Sequence, residues 1–292
     1  MVSGEYIIFV FLEEIMIGAI TGDIVGSRFE WHNHRSINFT LFDPKCKFTD
    51  DSVMSIAIGK AIMEFYRKGL KLDERGKKTL ASLSVRYMRE IGQPYRNCGY
   101  GGKFRVWMYS NVPKPYSSFG NGAAMRVSGA AWAASTLEEA LELAKVVTAV
   151  THDHPEGIRG AQAATAAIFM ARQGKSKDEI KQYIHYCYYR LNFTIDELRP
   201  TYKFNASCMG SVPQAIEAFL ESSDFENAIR LAVSLGGDSD TIAAITGSIA
   251  EAFYGVPPEI EKKAISYLDS NLAKLYQEWK AFQASRAPYL VK

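Results

Sequence analysis

No Cys-x-x-Cys pair occurs in this 292-residue chain, and its four cysteines, Cys46, Cys98, Cys187 and Cys208, lie far apart. That spacing argues against a disulfide framework and a thiolate zinc site, and it suits a reducing cytoplasm. No excess of either charge is present: 34 basic side chains face 32 acidic ones, a formal net charge of +2. A field that weak points to neither nucleic acid nor an anionic membrane surface as the main partner. No apolar stretch reaches the roughly 18–20 residues that a membrane-spanning helix needs. Compositional bias is lacking too, with 47% hydrophobic and 23% charged residues, which excludes collagen-like, low-complexity and disordered classes.

The first fifteen residues stand apart. Tyr6-Ile-Ile-Phe-Val-Phe-Leu12 is apolar, but no Lys or Arg precedes it and Glu13-Glu14 close it. A secretory signal wants a basic start, a longer apolar core and a small-residue cleavage site, so secretion is not expected. Residues 1–15 read as an extension of unknown role: an added strand, a partner-binding arm, or sequence upstream of the natural start. Residues 16–292 read as a single domain.

Helical signals dominate the rest of the chain. Thr136-Leu-Glu-Glu139 and Ser176-Lys-Asp-Glu179 have capping-box spacing, and apolar residues continue from each at intervals of three and four. Asp224, Pro155 and Pro258 mark helix starts, and Gly174 and Gly236-Gly237 mark ends. About ten helices and no alternating strands are expected, hence an all-α class: a compact orthogonal multi-helix bundle. Two segments, 31–47 and 92–123, read as long loops rich in Gly, Pro, Asn and aromatics, a length that is often functional. Gly160–Ala167 and Ala243–Ala250 are rich in small residues, as buried central helices are.

Two acidic clusters carry the chemistry. Phe48-Thr-Asp-Asp-Ser52 precedes a helix whose apolar face is Met54, Ile58, Ile62 and Phe65; Gly236-Gly-Asp-Ser-Asp-Thr241 precedes the Ala-rich helix. Either cluster alone reads as an ordinary helix cap. Together they offer more: a cap needs one carboxylate, and each helix start has two, which repel unless cations, solvent or protons relieve them. Hard oxygen ligands without His or Cys select Mg²⁺, Ca²⁺ or Mn²⁺. Brought together, Thr49, Asp50, Asp51, Asp238, Asp240 and Thr241 could hold two such ions at the usual two-metal spacing of roughly 3.5–4 Å.

Three further elements surround them. In Gly22-Asp-Ile-Val-Gly-Ser-Arg-Phe-Glu30, a continuous helix would put Asp23, Gly26 and Glu30 on one face. The glycine-rich Cys98–Lys103 and Ser118–Arg126 segments could expose consecutive amides to phosphate, though neither fits a P-loop or dinucleotide fingerprint. Thr151-His-Asp-His-Pro155 places imidazoles at a helix junction, where His is as often structural as functional.

In this order the elements resemble the ADP-ribosylglycohydrolase family. The likeness runs from about Met16 to Gly255 through Gly22-Asp-x-x-Gly-x-x-x-Glu30, Thr49-Asp-Asp-Ser, Gly120-Asn-Gly-Ala-Ala-Met-Arg126, Thr151-His-x-His-Pro-Glu156 and Gly237-Asp-Ser-Asp-Thr-x-Ala-Ala-Ile-x-Gly247. Ser52 stands where the family usually has Thr, which keeps a hydroxyl. The resemblance implies a bundle with a central cleft and two Mg²⁺ or Mn²⁺ ions, held by Thr49, Asp50, Asp51, Asp238, Asp240 and Thr241. It implies Glu30 as a mobile acid that contacts metal or its water. Gly99, Tyr100, Gly101 and Gly102, with Phe119, Gly120, Asn121, Gly122 and Met125, would hold diphosphate and ribose, and His152 would lie near the distal ribose. Of Phe104, Trp107, Tyr116 and Phe119, some are expected to stack on adenine and at least half to pack in the core.

The activity so implied is removal of ADP-ribose from a modified protein arginine or serine, or from a small ADP-ribosyl compound, with Asp51 the expected base and Glu30 its rival. Two other readings stay open at this point. One is a non-catalytic structural member of the family. The other is an immunity module that binds a partner ADP-ribosyltransferase, with residues 1–15 as a candidate contact.

Overall fold

Close contact between two helices organises the molecule. The computed structural model describes residues 16–290; the extension 1–15 lies outside the described residues. Helix α1 (Ile17–Gly26) lies against α12 (Ser239–Tyr254), and every residue of α1 is buried. Gly18, Gly22 and Gly26 recur every fourth position and so share one face. A Cβ on Gly22 would sit 2.0 Å from the Ala243 carbonyl oxygen, on Gly18 2.2 Å from that of Gly247, and on Gly26 2.5 Å from the Asp240 Cα. Only glycine allows the two backbones this near. The far end is fastened by the buried Glu251 of α12, whose carboxylate accepts from the amides of Met16, Ile17 and Gly18 at 3.0–3.1 Å. It stands where the helix dipole and the unpaired first-turn amides favour a negative charge.

Around this pair lie α2 (Asp50–Arg67), α3 (Glu74–Gly92), α4 (Gly102–Tyr109), α5 (Ser128–Ala133), α6 (Leu137–Ala149) and α7 (Pro155–Arg172). The chain continues through α8 (Lys177–Cys187), α9 (Ile195–Leu198), α10 (Cys208–Glu221), α11 (Phe225–Ser234), α13 (Pro258–Ile265) and α14 (Ser270–Leu290). Helix α12 packs against α1, α7, α10 and α11, and it is buried from Ser239 to Glu251. The described residues contain no β-strand, only an isolated bridge between Gly120 and Ser207. The all-α expectation holds.

Among the described residues, fourteen α-helices replace the ten expected. The reason is that α4, α5 and α9 have eight, six and four residues, too few to show a period in sequence. Segment 92–123 is therefore not all loop: α4 lies within it, while 31–47 is irregular as expected. The Ser176 capping box forms in full. At Thr136 only half forms, since the Glu139 carboxylate takes the amide of Ser135 and the Tyr66 hydroxyl instead. Phe104 and Trp107 are buried in the core. No described helix is long and apolar enough to cross a membrane.

Candidate functional site

The starts of α2 and α12, nearly 190 residues apart in sequence, meet at the floor of a cleft of about 530 Å³. Three connections bring them together. Asp23, on the last turn of α1, accepts from the Thr49 amide at 2.8 Å, the Thr49 hydroxyl at 2.5 Å, the Ser52 amide at 3.0 Å and the Ser52 hydroxyl. A carboxylate from α1 therefore caps α2, and Thr49 adds the local cap by accepting from the Asp51 amide. Thr241 of α12 donates its hydroxyl to Asp51 Oδ2 at 3.2 Å. Finally, Gly236 and Gly237 both take left-handed conformations (φ 72 and 74), which turn the chain from α11 directly into α12.

This arrangement decides against simple capping. Asp238 occupies the N-cap position of α12, yet its side chain caps nothing. It accepts instead from Asn121 Nδ2 at 2.7 Å, and Asn121 is steadied by Ser211 Oγ at 3.0 Å. Asp51 Oδ1 is buried with no hydrogen-bond partner.

Ligand atoms of Asp23, Asp51 and Asp240 lie within 4.8 Å of one another, as do those of Glu30, Asp238 and Asp240. Two carboxylate triads thus share Asp240. Burial, then mutual repulsion, pushes the cluster upward. Asp51 and Asp240 go well above the ordinary range, and burial also raises Asp23 and Asp238. Asp50 rises to about 8 through burial and then the Asp23 charge; Glu30 rises to about 7 through burial and then Asp238. Concentrated like charge of this kind is relieved by protons or by cations. The orphaned Asp51 oxygen and the all-oxygen donor set fit a hard divalent ion.

The cleft brings together Glu30, Asp50, Asp51, Asp238, Asp240, Thr241, Gly99, Tyr100, Gly101, Gly102, Gly120, Asn121, Gly122, Met125 and His152. Two expected members stand off. Thr49, like Asp23, is not among the residues lining the cleft; its hydroxyl donates to the Asp23 carboxylate at 2.5 Å. Phe119 is exposed, set edge-on to His154 at 5.3 Å, away from the cleft wall. Glu30 arrives by a different route than expected, because α1 ends at Gly26 and a turn delivers Glu30 to the rim. It shares no helical face with Asp23.

The walls are glycine loops. Gly99 (φ 124) passes so near Asp50 that a Cβ would meet Asp50 Oδ1 at 2.4 Å, and the Asp50 amide donates to the Cys98 carbonyl at 2.9 Å. Opposite, the Asn121 amide donates to the Ala206 carbonyl at 2.8 Å, which fixes the 120–122 turn. His152 Nδ1 is 2.7 Å from the Thr151 hydroxyl, and that hydroxyl accepts from the buried Arg126 guanidinium at 2.6 Å. Burial, then the Arg126 charge, holds His152 well below the usual histidine range. Arg126 Nη2, which can only donate, also lies 3.4 Å from Nδ1, so Nδ1 is assigned as the acceptor and the ring proton to Nε2, beside Gly120 and Gly122.

The sequence model of the ADP-ribosylglycohydrolase family matches residues 12–285. The chain belongs to that family. It is 27% identical to "ADP-ribosylhydrolase ARH3" of Xenopus tropicalis (87% of this chain, 91% of the relative) and 24% identical to that of Homo sapiens (88% and 90%). It is 27% identical to "ADP-ribosylarginine hydrolase Tri1" of Pseudomonas putida strain GB-1, over 90% of this chain and 76% of the relative. A solved "ADP-ribosylglycohydrolase-related protein complex" superposes with a TM-score of 0.67 over 94% of this chain and 96% of that one, at 21% identity, and so shares the fold.

Some residues of the site stand out in sequence without a role. Asp23 reads only as part of the Gly22–Glu30 motif, because its partners Thr49 and Ser52 are tertiary. The glycines at every fourth position of α1 were the one available hint. Trp31 and Phe204 line the mouth from segments that are remote in sequence.

Proposed function

We propose that this chain is a divalent-cation-dependent ADP-ribosylhydrolase that cleaves the bond between the ribose anomeric carbon and a modified side chain, protein arginine foremost. Family membership supports the reaction class. The two carboxylate triads sharing Asp240 at the cleft floor carry the cation requirement. Asp23, Asp51 and Asp240 would hold one ion, and Glu30, Asp238 and Asp240 the other, with Asp50 and Thr241 adjacent. Bound Mg²⁺ or Mn²⁺ would orient the ribose hydroxyls and acidify a water.

The chain's own groups supply the other functions. Asp51 presents an oxygen with no protein partner, so it is placed to accept a proton from an attacking water. Glu30, half-buried on the rim, is the alternative proton carrier. Asn121 keeps Asp238 directed inward. The neutral His152 would donate from Nε2 to a sugar hydroxyl, and the amides of 99–102 and of Gly122 would meet the diphosphate. Positive charge that builds on the sugar as the bond breaks is met by the carboxylate floor. Residues 16–292 serve as one unit in this reading. Its substrate is an ADP-ribosylated protein or small ADP-ribosyl compound, and the free thiols Cys46, Cys98, Cys187 and Cys208 suit a cytoplasmic setting. A purely structural protein would gain stability by replacing these buried like charges, which disfavours that alternative.

The test is release of free ADP-ribose from arginine-linked and serine-linked ADP-ribosyl peptides, with Mg²⁺, with Mn²⁺ and with EDTA. Release from the arginine linkage, abolished by EDTA, is expected. Turnover indifferent to EDTA refutes the cation requirement, and preference for serine refutes the acceptor assignment.

A further inference from the structure

Two aromatic rings stand at the mouth of the cleft on the side of the acidic floor. Trp31 is 73% exposed and Phe204 44% exposed, yet they stack on each other with centroids 5.2 Å apart and planes 15° from parallel. Exposed aromatics of this size are costly in solvent, and a pair gathered at the rim of a charged cleft marks a contact surface.

The platform is built rather than incidental. Arg35 donates from Nη1 to the carbonyls of Arg199 and Leu235 and from Nη2 to that of Tyr202, which ties the Trp31 segment to the Phe204 segment. Asn33 Oδ1 accepts from the Gly237 amide at 2.7 Å and anchors the same segment to the entry of α12. Trp31 follows Glu30 directly in the chain, and both residues line the cleft.

We propose that Trp31 and Phe204 are the acceptor-recognition platform of this site, seating the planar guanidinium of an ADP-ribosylated arginine against the indole face with Glu30 and Asp238 nearby. The inference rests on the hydrolase reading above and names the residues that select the acceptor. A delocalised, weakly hydrated guanidinium stacks on aromatic faces and is drawn to carboxylates. A serine-linked substrate brings neither charge nor plane to this place, so it gains little from the rings. The nucleotide end of the substrate is held by the glycine loops and His152, apart from the platform.

Trp31→Ala, Phe204→Ala and the double variant alter exposed rim residues that ligate no ion, and Trp31→Phe restores a ring. Initial rates on arginine-linked and serine-linked peptides of one sequence give KM. In parallel, the affinities of a non-cleavable carbocyclic analogue of the arginine-linked peptide and of free ADP-ribose are measured by titration with Mg²⁺ present, independently of turnover. The double variant should weaken arginine-linked peptide binding about tenfold. Serine-linked peptide and free ADP-ribose should change less than about twofold, and Trp31→Phe should recover most of the loss. An equal loss for free ADP-ribose overturns the proposal by assigning the rings to the nucleotide. Equal loss for both peptides, or no loss, overturns it as well. Wild-type protein that binds the analogue in this ring-dependent way without cleaving the arginine-linked peptide would sink the hydrolase reading and leave the platform standing.

Discussion

Replacing Asp240 by asparagine should raise the stability of the cation-free protein and erase its response to divalent ions. Asp240 belongs to both carboxylate triads, so one substitution removes a charged donor from each. Like charges at 4.8 Å, the outer limit of each triad's ligand-atom separations, repel by about 3–4 kcal/mol at an effective dielectric of 20, before partial protonation relieves them. The neutral amide of the Asp240→Asn variant removes part of that repulsion, and the cation-free melting temperature should rise by several degrees. In the wild type, two ions at a hundred times their dissociation constants should add about 2.7 kcal/mol each. With unfolding entropy near 2.1 cal/mol/K per residue, that sum corresponds to roughly 9 °C for a chain of this length. Even outer-shell partners of a metal are worth 10–100-fold in affinity, so loss of a shared ligand should reduce the gain to about 1 °C. Differential scanning fluorimetry in EDTA and across a Mg²⁺ or Mn²⁺ titration reads both effects. An Asp240→Asn protein that keeps the wild-type shift, or that melts lower in EDTA, refutes the assignment of Asp240 as the shared ligand.

Other outcomes rest on the same geometry. In EDTA, stability should fall as pH rises from about 4 to 8. The folded carboxylates titrate above their ordinary values, Glu30 near 7 and Asp50 near 8, so the folded state holds protons that the unfolded chain has released. Saturating divalent ion should flatten that slope, and a cation-free protein that gains stability over this window contradicts the raised carboxylates. Gly22→Ala should destabilise by about 2–4 kcal/mol in urea, since its Cβ would clash with the Ala243 backbone, where no flexible side chain can yield. It should also lower cation affinity by displacing Asp23. Glu251→Ala should cost about 2–4 kcal/mol by stripping three first-turn amides of their acceptor, while cation affinity per folded molecule stays near wild type.

What could be read from sequence divides along physical lines. Helix caps, the proline and glycine boundaries, and the paired acids before α2 and α12 are local patterns, and each was legible. Asp23 stands out in the Gly22–Glu30 motif but has no role there, because that role depends on Thr49 and Ser52 on another helix. Glu30 was expected on the helical face of Asp23, but α1 stops at Gly26, and spacing by three and four has no meaning beyond a helix end. The short helices α4, α5 and α9 are too brief for a period to show clearly. The Trp31–Phe204 pair joins segments remote from one another in sequence, and its existence depends on where Arg35 reaches carbonyls of other segments.

Two divalent cations are expected where α1, the start of α2 and the start of α12 converge. A crystal grown with Mn²⁺ and measured near the manganese absorption edge gives the answer in one map. Two anomalous peaks roughly 3.5–4 Å apart, both touching Asp240, are the expected result. A map with no peak between residues 49–51 and 238–241, from protein that still releases ADP-ribose, would contradict it.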